Sequence, residues 1–177
     1  IIGRGAHGGK IGLSYRMGSA MGRQGNRNER NEREGIGMRV MAIDYGDART
    51  GVAISDATGM LAGFTTVIRG RDRQRVLEEI EELIAAHGVD ELVMGFPRNM
   101  YGTEGPRAQL YRDFAARLKE RCGMPVSLWD ERRTTIEAHQ ILHASGKRMK
   151  NHKKNVYAVA ATLILEGYLA RKRLARS

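Results

Sequence analysis

From Met38 onward, short β-branched runs alternate with stretches of helical period, and that alternation constrains the fold more than any other feature of the chain. "RVMAID" (39–44), "GVAIS" (51–55) and "LAGFTTVIR" (61–69) are three consecutive strand patterns joined by short turns, which predicts an antiparallel meander. "DRQRVLEEIEELIAAHG" then sets Val76, Leu77, Ile80, Leu83 and Ile84 on one helical stripe, with Asp72 as the cap and Gly88 just past the end. "ELVMG" (91–95) is a fourth strand. The segment 103–122 holds a second helix with Leu110, Phe114 and Leu118 at fourfold spacing, and "PVSLW" (125–129) is a fifth strand. A third helix is expected from Thr134, which forms a capping box with Glu137. The last runs from Val156 to about Arg173, apolar nearly all round in its first half and so expected to be buried. The order β β β α β α β α α implies one α/β domain, with three meander strands followed by crossover-connected ones.

Residues 1–37 follow none of these patterns. They hold 10 of the 22 glycines and the polar run "GRQGNRNERNEREG", too little apolar surface to offset the entropy of ordering. The expectation is a disordered Gly/Arg-rich extension or a misplaced start, with the folded domain spanning 38–177. With 177 residues and 41% apolar content, that domain can bury a core without staples. Cys122 is the single cysteine, which excludes an internal disulfide and fits a reducing compartment. The longest apolar stretch, 156–165, is too short to span a bilayer, so a cytoplasmic protein with no membrane partner is expected. Net charge is +10 and uneven: +4 over residues 1–37, −2 over 38–120 and +8 over 121–177. A field of one sign on one part of a surface attracts polyanions, nucleic acid first among them.

The candidate chemistry starts at "IDYGDARTG" (43–51). Asp44 ends a strand and Gly46 opens a tight turn, so Asp44 is either a turn former or one member of a site. Asp130 and Glu131 in "WDERRTT" also emerge at a strand end, and parallel strands bring such ends to one edge of the sheet. Converging carboxylates repel unless a cation or a shared proton neutralises them, and all-oxygen ligation favours Mg²⁺ or Mn²⁺. The competing reading pairs the two acids with Arg132 and Arg133 on the surface. "VMGFPRNMYGTEG" is a strand breaking into a loop, with Gly95 and Gly102 expected at positive φ and Pro97 stiffening the exit. Arg98 and Asn99 are available there for phosphate. Lys147, Arg148, Lys150, Lys153 and Lys154 form a basic loop suited to phosphate contacts without sequence readout. With few aromatic stacking partners, structured nucleic acid is favoured over single strands. His139 and His143 lie four apart, but no HExxH frame surrounds them, so packing or solvent contact is expected.

Taken together, "MAIDYGDARTGVAIS", "VMGFPRNMYGTEGPRAQLYRDFAARL", "DERRTTIEAHQIL" and "VAATLILEGYL", in this order and spacing, resemble the YqgF family of Holliday-junction-resolvase-like proteins, described as pre-16S rRNA nucleases. The resemblance covers Met38 to Arg173. It implies a ribonuclease-H-like fold with a five-stranded mixed sheet, three strands antiparallel and two parallel, flanked by helices. It implies nuclease activity at the 5′ end of the 16S rRNA precursor in ribosome biogenesis. The divalent metal would be held by carboxylates of the first strand, the "DER" strand and the last helix. Asp44 matches the first, and Asp130 with Glu131 the second. The third falls on Tyr157, a neutral phenol and a poor Mg²⁺ ligand, which implies a weakened second metal position.

Gly46 and Gly51 are expected to shape the first hairpin, with Arg49 placed for phosphate or for bracing the acids. The implied partner is pre-16S rRNA or the small-subunit precursor, bound by a monomer or homodimer. Two rivals remain open: a non-catalytic RNA-binding assembly factor, and a junction-resolving DNA nuclease. A sugar-kinase or actin-like phosphotransferase, which shares a related core, needs two such domains closing over ATP. About 140 ordered residues provide only one.

Overall fold

The computed structural model describes residues 37–97, 105–130 and 156–175. Its spine is β1 (Val40–Asp44), whose first four residues are fully buried because the sheet continues on both sides of it. β2 (Arg49–Ser55) pairs antiparallel with β1, Asp44 opposite Gly51, and β3 (Ala62–Arg69) pairs antiparallel with β2, Arg49 opposite Arg69. The expected meander is present. Between β2 and β3, Asp56 folds the turn by accepting from the Thr58 hydroxyl at 2.8 Å and from the Met60 N–H at 3.0 Å.

α1 (Arg73–His87) begins and ends where its caps predict. The Asp72 carboxylate accepts from the Gln74 N–H at 2.9 Å, and Gly88 closes the helix at φ 64°, a left-handed conformation that glycine adopts without strain. Val76, Leu77 and Ile80 are buried, and Leu83 and Ile84 pack beside them. β4 (Glu91–Phe96) runs parallel to β1, and Asp90 pins the two starts together by accepting from the Arg39 N–H at 2.9 Å. α2 (Ala108–Cys122) follows a turn at Pro106, which has no N–H to give a preceding helical turn, and buries Phe114 and Leu118. β5 (Val126–Asp130) lies parallel to β4 on the far side. The strand order β3-β2-β1-β4-β5, with β1, β4 and β5 parallel, is the mixed ribonuclease-H-like sheet that the resemblance implies.

Two cores lie on opposite faces of this sheet. Met41, Ile43, Tyr45, Val52, Ile54, Leu92 and Met94 meet α1 and α2, whereas Val40, Ala42, Ala53 and Val93 meet α3 (Val156–Leu174). This is the period-2 alternation of a doubly covered sheet. The far end of α3 is anchored to β4, where Tyr168 and Lys172 both hold the Glu91 carboxylate, and Tyr168 meets the Trp129 ring edge-on.

Three of the sequence-based expectations are corrected by the fold. α3 is not buried all round: Ala158, Ala161, Ile164, Leu165 and Leu169 form one buried stripe, and Val156 is 42% exposed, because the helix covers a single sheet face. Gly95 does not take positive φ. It sits inside β4 opposite Trp129, and the positive-φ glycines among the described residues are Gly59, Gly70, Gly88 and Gly123. Gly51 is likewise a strand residue rather than a turn residue. A Cβ on it would lie 1.9 Å from the Tyr157 carbonyl oxygen, so its part is to let α3 approach β2. The expected segment 1–37 (described only at Gly37), the helix from Thr134, His139 and His143, and Gly102 lie outside the described residues.

Because the approach of α3 to Gly51 is backbone against backbone, no side chain can move to relieve it. Gly51→Val should lower stability by about 3 kcal/mol, the upper end for an overpacked core. Trp129 is the only tryptophan and lies under α3, with the position of a Gly167 Cβ 3.1 Å from its ring. Its emission should therefore shift to the red in the Gly51→Val protein under native conditions.

Candidate active site

Because β1, β4 and β5 are parallel, their carboxyl ends share one end of the sheet, where β2 begins and β3 finishes. That end carries Asp44 on β1, Pro97 after β4, Asp130 on β5, Arg49 on β2 and Arg69 on β3. The β1–β2 hairpin crosses it. Tyr45 is buried on the α2 side, stacked on Phe114 at 3.9 Å between centroids, and its carbonyl accepts from the Tyr111 hydroxyl at 2.8 Å. With Ile43 and Tyr45 held on that face, alternation turns Asp44 to the other, toward α3. Arg107 ties the hairpin to the start of α2 by an ion pair with Asp47 at 2.7 Å.

The first turn of α3 lies on the strand pair that carries Asp44. Tyr157 sets its carbonyl over Gly51, the register partner of Asp44, and its ring against Gly46, with Cε1 3.2 Å from where a Cβ would stand. A Cβ on Gly46 would also lie 2.6 Å from the Arg49 carbonyl, so both hairpin glycines are required by closeness rather than by φ. Tyr157 therefore stands against the strand pair that carries the β1 acid.

The Asp44 side chain is half-buried, and its carboxylate has no hydrogen bond or ion pair with another described residue. Desolvation alone pushes its carboxyl up to about 6. A desolvated oxygen donor without a partner suits a hard divalent cation, which would restore its charge. Tyr157 adds no charge to such a site. Among the described residues no three His, Cys, Asp or Glu side chains cluster as a metal site.

Asp130 reaches the same end of the sheet but not the same face. On β5, Val126 packs with the α1–α2 core, whereas Trp129 packs with the α3 core and Ser127 bonds the Tyr168 hydroxyl, so alternation assigns Asp130 to the α1–α2 side. The expected convergence of Asp44 with Asp130 is thus met for position along the sheet and not for side-chain direction. Glu131, Arg132, Arg98, Asn99, Lys147, Arg148, Lys150, Lys153 and Lys154 lie outside the described residues.

The sequence also contains an arginine cluster whose place is visible only in the fold. "IRGRDR" links β3 to α1, and the sheet register sets Arg69 directly opposite Arg49. The available signal was that Arg69 closes the third strand while Arg49 opens the second.

A mixed five-stranded sheet of this order, with an acid ending its first strand, is a ribonuclease-H-like architecture. The family model described as "RuvX: Holliday junction resolvase" matches residues 38–171, and the chain belongs to that family, the one to which its four motifs point. A protein of Carboxydothermus hydrogenoformans named "Putative pre-16S rRNA nuclease" is 45% identical over 132 residues, 75% of this chain and 96% of its own length. One of the same name from Lachnospira eligens is 42% identical over 139 residues, 77% and 99% of the two chains. Among solved structures, Thermus thermophilus RuvC in complex with a Holliday junction substrate aligns over 76% of this chain and 96% of its own at 12% identity, with a TM-score of 0.47. No helix among the described residues is long and apolar enough to cross a membrane.

The electrostatics of Asp44 carry a stability cost with a definite sign. Its folded-state value of about 6 lies above the ordinary carboxyl value of 3.8, so the native state holds the proton longer than the unfolded chain. Below about pH 4 both states are protonated and there is no cost; as pH rises through 6 the native state loses up to about 3 kcal/mol. In EDTA, Asp44→Asn should therefore be more stable than the parent at pH 7.5, with the difference vanishing near pH 4. Urea unfolding of both proteins across that range measures it.

Proposed function

We propose that the chain is a divalent-metal-dependent nuclease that hydrolyses phosphodiester bonds in structured nucleic acid, with the precursor of 16S rRNA as its substrate during ribosome biogenesis in the cytoplasm. The observation that carries this reading is Asp44: a desolvated carboxylate without a partner among the described residues, at the carboxyl end of the central strand, in a chain whose relatives are named for pre-16S rRNA. Its proposed partner comes from "DER". The motif offers two adjacent acids, and because Asp130 falls on the α1–α2 side, Glu131 is the one proposed to act with Asp44.

Asp44 and Glu131 would hold a Mg²⁺ or Mn²⁺ ion, which when bound would supply charge neutralisation at the scissile phosphate and a more acidic attacking water. Asp44 contributes a donor that is already desolvated, so little reorganisation is needed when charge develops. Tyr45, clamped between α2 and the strand end, keeps Asp44 from swinging away. Arg49, exposed at the start of β2, supplies a cation for the substrate backbone near that carboxylate. In the same reading the basic loop of Lys147, Arg148, Lys150, Lys153 and Lys154, with Arg98, Asn99 and Arg132, holds flanking phosphates.

Tyr157 stands against the hairpin at the position where the family's third carboxylate is expected, and it reduces catalytic power by leaving one metal position under-ligated. Junction DNA is the second substrate reading, favoured by the description of the family.

The deciding assay uses purified protein with Mg²⁺ or Mn²⁺ on a 5′-extended 16S precursor and on a DNA four-way junction. The precursor should be cut and Asp44→Asn should abolish cutting. Glu131→Gln should cost roughly 100-fold or more and Asp130→Asn much less, the difference between losing and keeping a charged donor at the reacting phosphate. Tyr157→Asp should raise the rate in Mg²⁺. If the junction is cut and the precursor is not, the substrate assignment is wrong. If Asp44→Asn cuts as fast as the parent, so is the site.

A further inference from the structure

Arg49 and Arg69 face each other across the β2–β3 pair, both exposed, where β2 begins and β3 ends. They alternate with residues that meet the α1–α2 core, Val52 and Ile54 on β2 and Ile68 on β3, so both belong to the face that carries Asp44 and Tyr157. Arg71 and Arg73 follow within four residues, also exposed, and the link is held to the hairpin by the Gly70 N–H donating to the Ala48 carbonyl at 3.1 Å.

Like charges set directly opposite on a sheet repel, and acids normally interleave with them. Two of the neighbouring acids are engaged elsewhere. Asp47 pairs with Arg107 at 2.7 Å, and the Asp72 carboxylate accepts from the Gln74 N–H at 2.9 Å. Arg49, Arg69, Arg71 and Arg73 form no ion pair or side-chain hydrogen bond with another described residue. Strand spacing of about 4.8 Å and a rise of about 3.4 Å per residue put the Cα atoms of Arg49 and Arg69 about 8 and 12 Å from that of Asp44. The cluster thus begins at the candidate active site and leads away from it past β3 toward α1.

We infer that Arg69, Arg71 and Arg73, continuing from Arg49, form a track for the phosphate backbone of the nucleic acid, carrying it from Asp44 over the β2–β3 end of the sheet. The inference rests on the nuclease reading for what lies at Asp44, but the track binds phosphate whether or not the site cuts. In sequence it is separate from the lysine-rich loop before α3. Guanidiniums that have no acid partner among the described residues can hold phosphates without reading sequence, so the track accepts RNA and DNA alike and leaves base choice to other contacts.

The test is the salt dependence of binding, read by fluorescence anisotropy in EDTA, where no cutting occurs. The full chain and its Arg69→Ala/Arg71→Ala/Arg73→Ala variant are compared on the 5′-extended 16S fragment and on the four-way junction between about 50 and 300 mM NaCl. The slope of log K against log salt should shrink by roughly 2 to 3 in the variant, at about 0.7 to 0.9 for each phosphate no longer neutralised, on both nucleic acids. A charge control, Arg117→Ala/Lys119→Ala on the exposed side of α2, should leave the slope unchanged.

Trp129 emission reports whether each variant is folded. In Mg²⁺, KM should rise at least roughly tenfold while kcat at saturating RNA stays the same, since side chains remote from the reacting phosphate contribute uniform binding. An unchanged slope, or an equal loss per charge in the α2 control, overturns the track. A shrunken slope in a protein that cuts neither substrate supports the track and refutes the nuclease reading instead.

Discussion

The first turn of α3 lies directly on the backbone of the β1–β2 pair, and the rest of the site depends on that approach. The Tyr157 carbonyl occupies the space that a side chain on Gly51 would fill, and the Tyr157 ring occupies the space beside Gly46. Because Gly51 is the register partner of Asp44, the helix that closes the second core also removes water from the β1 carboxylate. A larger residue at either glycine would lift the helix and rehydrate Asp44. Packing and chemistry are one constraint here, set by two absent Cβ atoms.

The same close approach sets the electrostatic character of the site. Two of the ordinary means of stabilising a buried carboxylate, a guanidinium and a ring of N–H donors, are not used by any described residue at Asp44. They are used elsewhere in the molecule: Asp56 is held below the usual carboxylate range by the Met60 N–H and the Thr58 hydroxyl, and Glu91 is held by Tyr168 and Lys172. Asp56 and Glu91 are thus satisfied by their neighbours, whereas Asp44 is left open among the described residues. Strain of this kind tends to be kept where a ligand relieves it.

Most of the architecture was legible in the sequence because its signals are local. Asp72 and Gly88 bracket α1 as the capping rules require, and all five strand patterns formed strands within a residue or two of their expected limits. The glycines were less legible for a physical reason. Sequence marks where a Cβ is excluded but not whether φ or a neighbouring backbone excludes it: at Gly51 the Tyr157 carbonyl excludes it, and Gly95 does not take the expected positive φ. The side-chain direction of Asp130 was hidden for a related reason: a period of two makes the assignment depend on single-residue register, which only the pairing with β4 supplies. The arginine track was hidden because Arg49 and Arg69 lie twenty residues apart and meet only when β3 folds back on β2.

Whether Asp44 is kept open for a divalent cation is tested most directly by metal-linked stability. The unfolding free energy of the full chain is measured at pH 7.5 while Mn²⁺ is raised to about 100 times its dissociation constant. The parent should gain about 2.7 kcal/mol, the mass-action value for a ligand that binds only the folded state, and Asp44→Asn should gain none. An equal gain in both proteins, or no gain in the parent, would contradict a metal-binding role for Asp44.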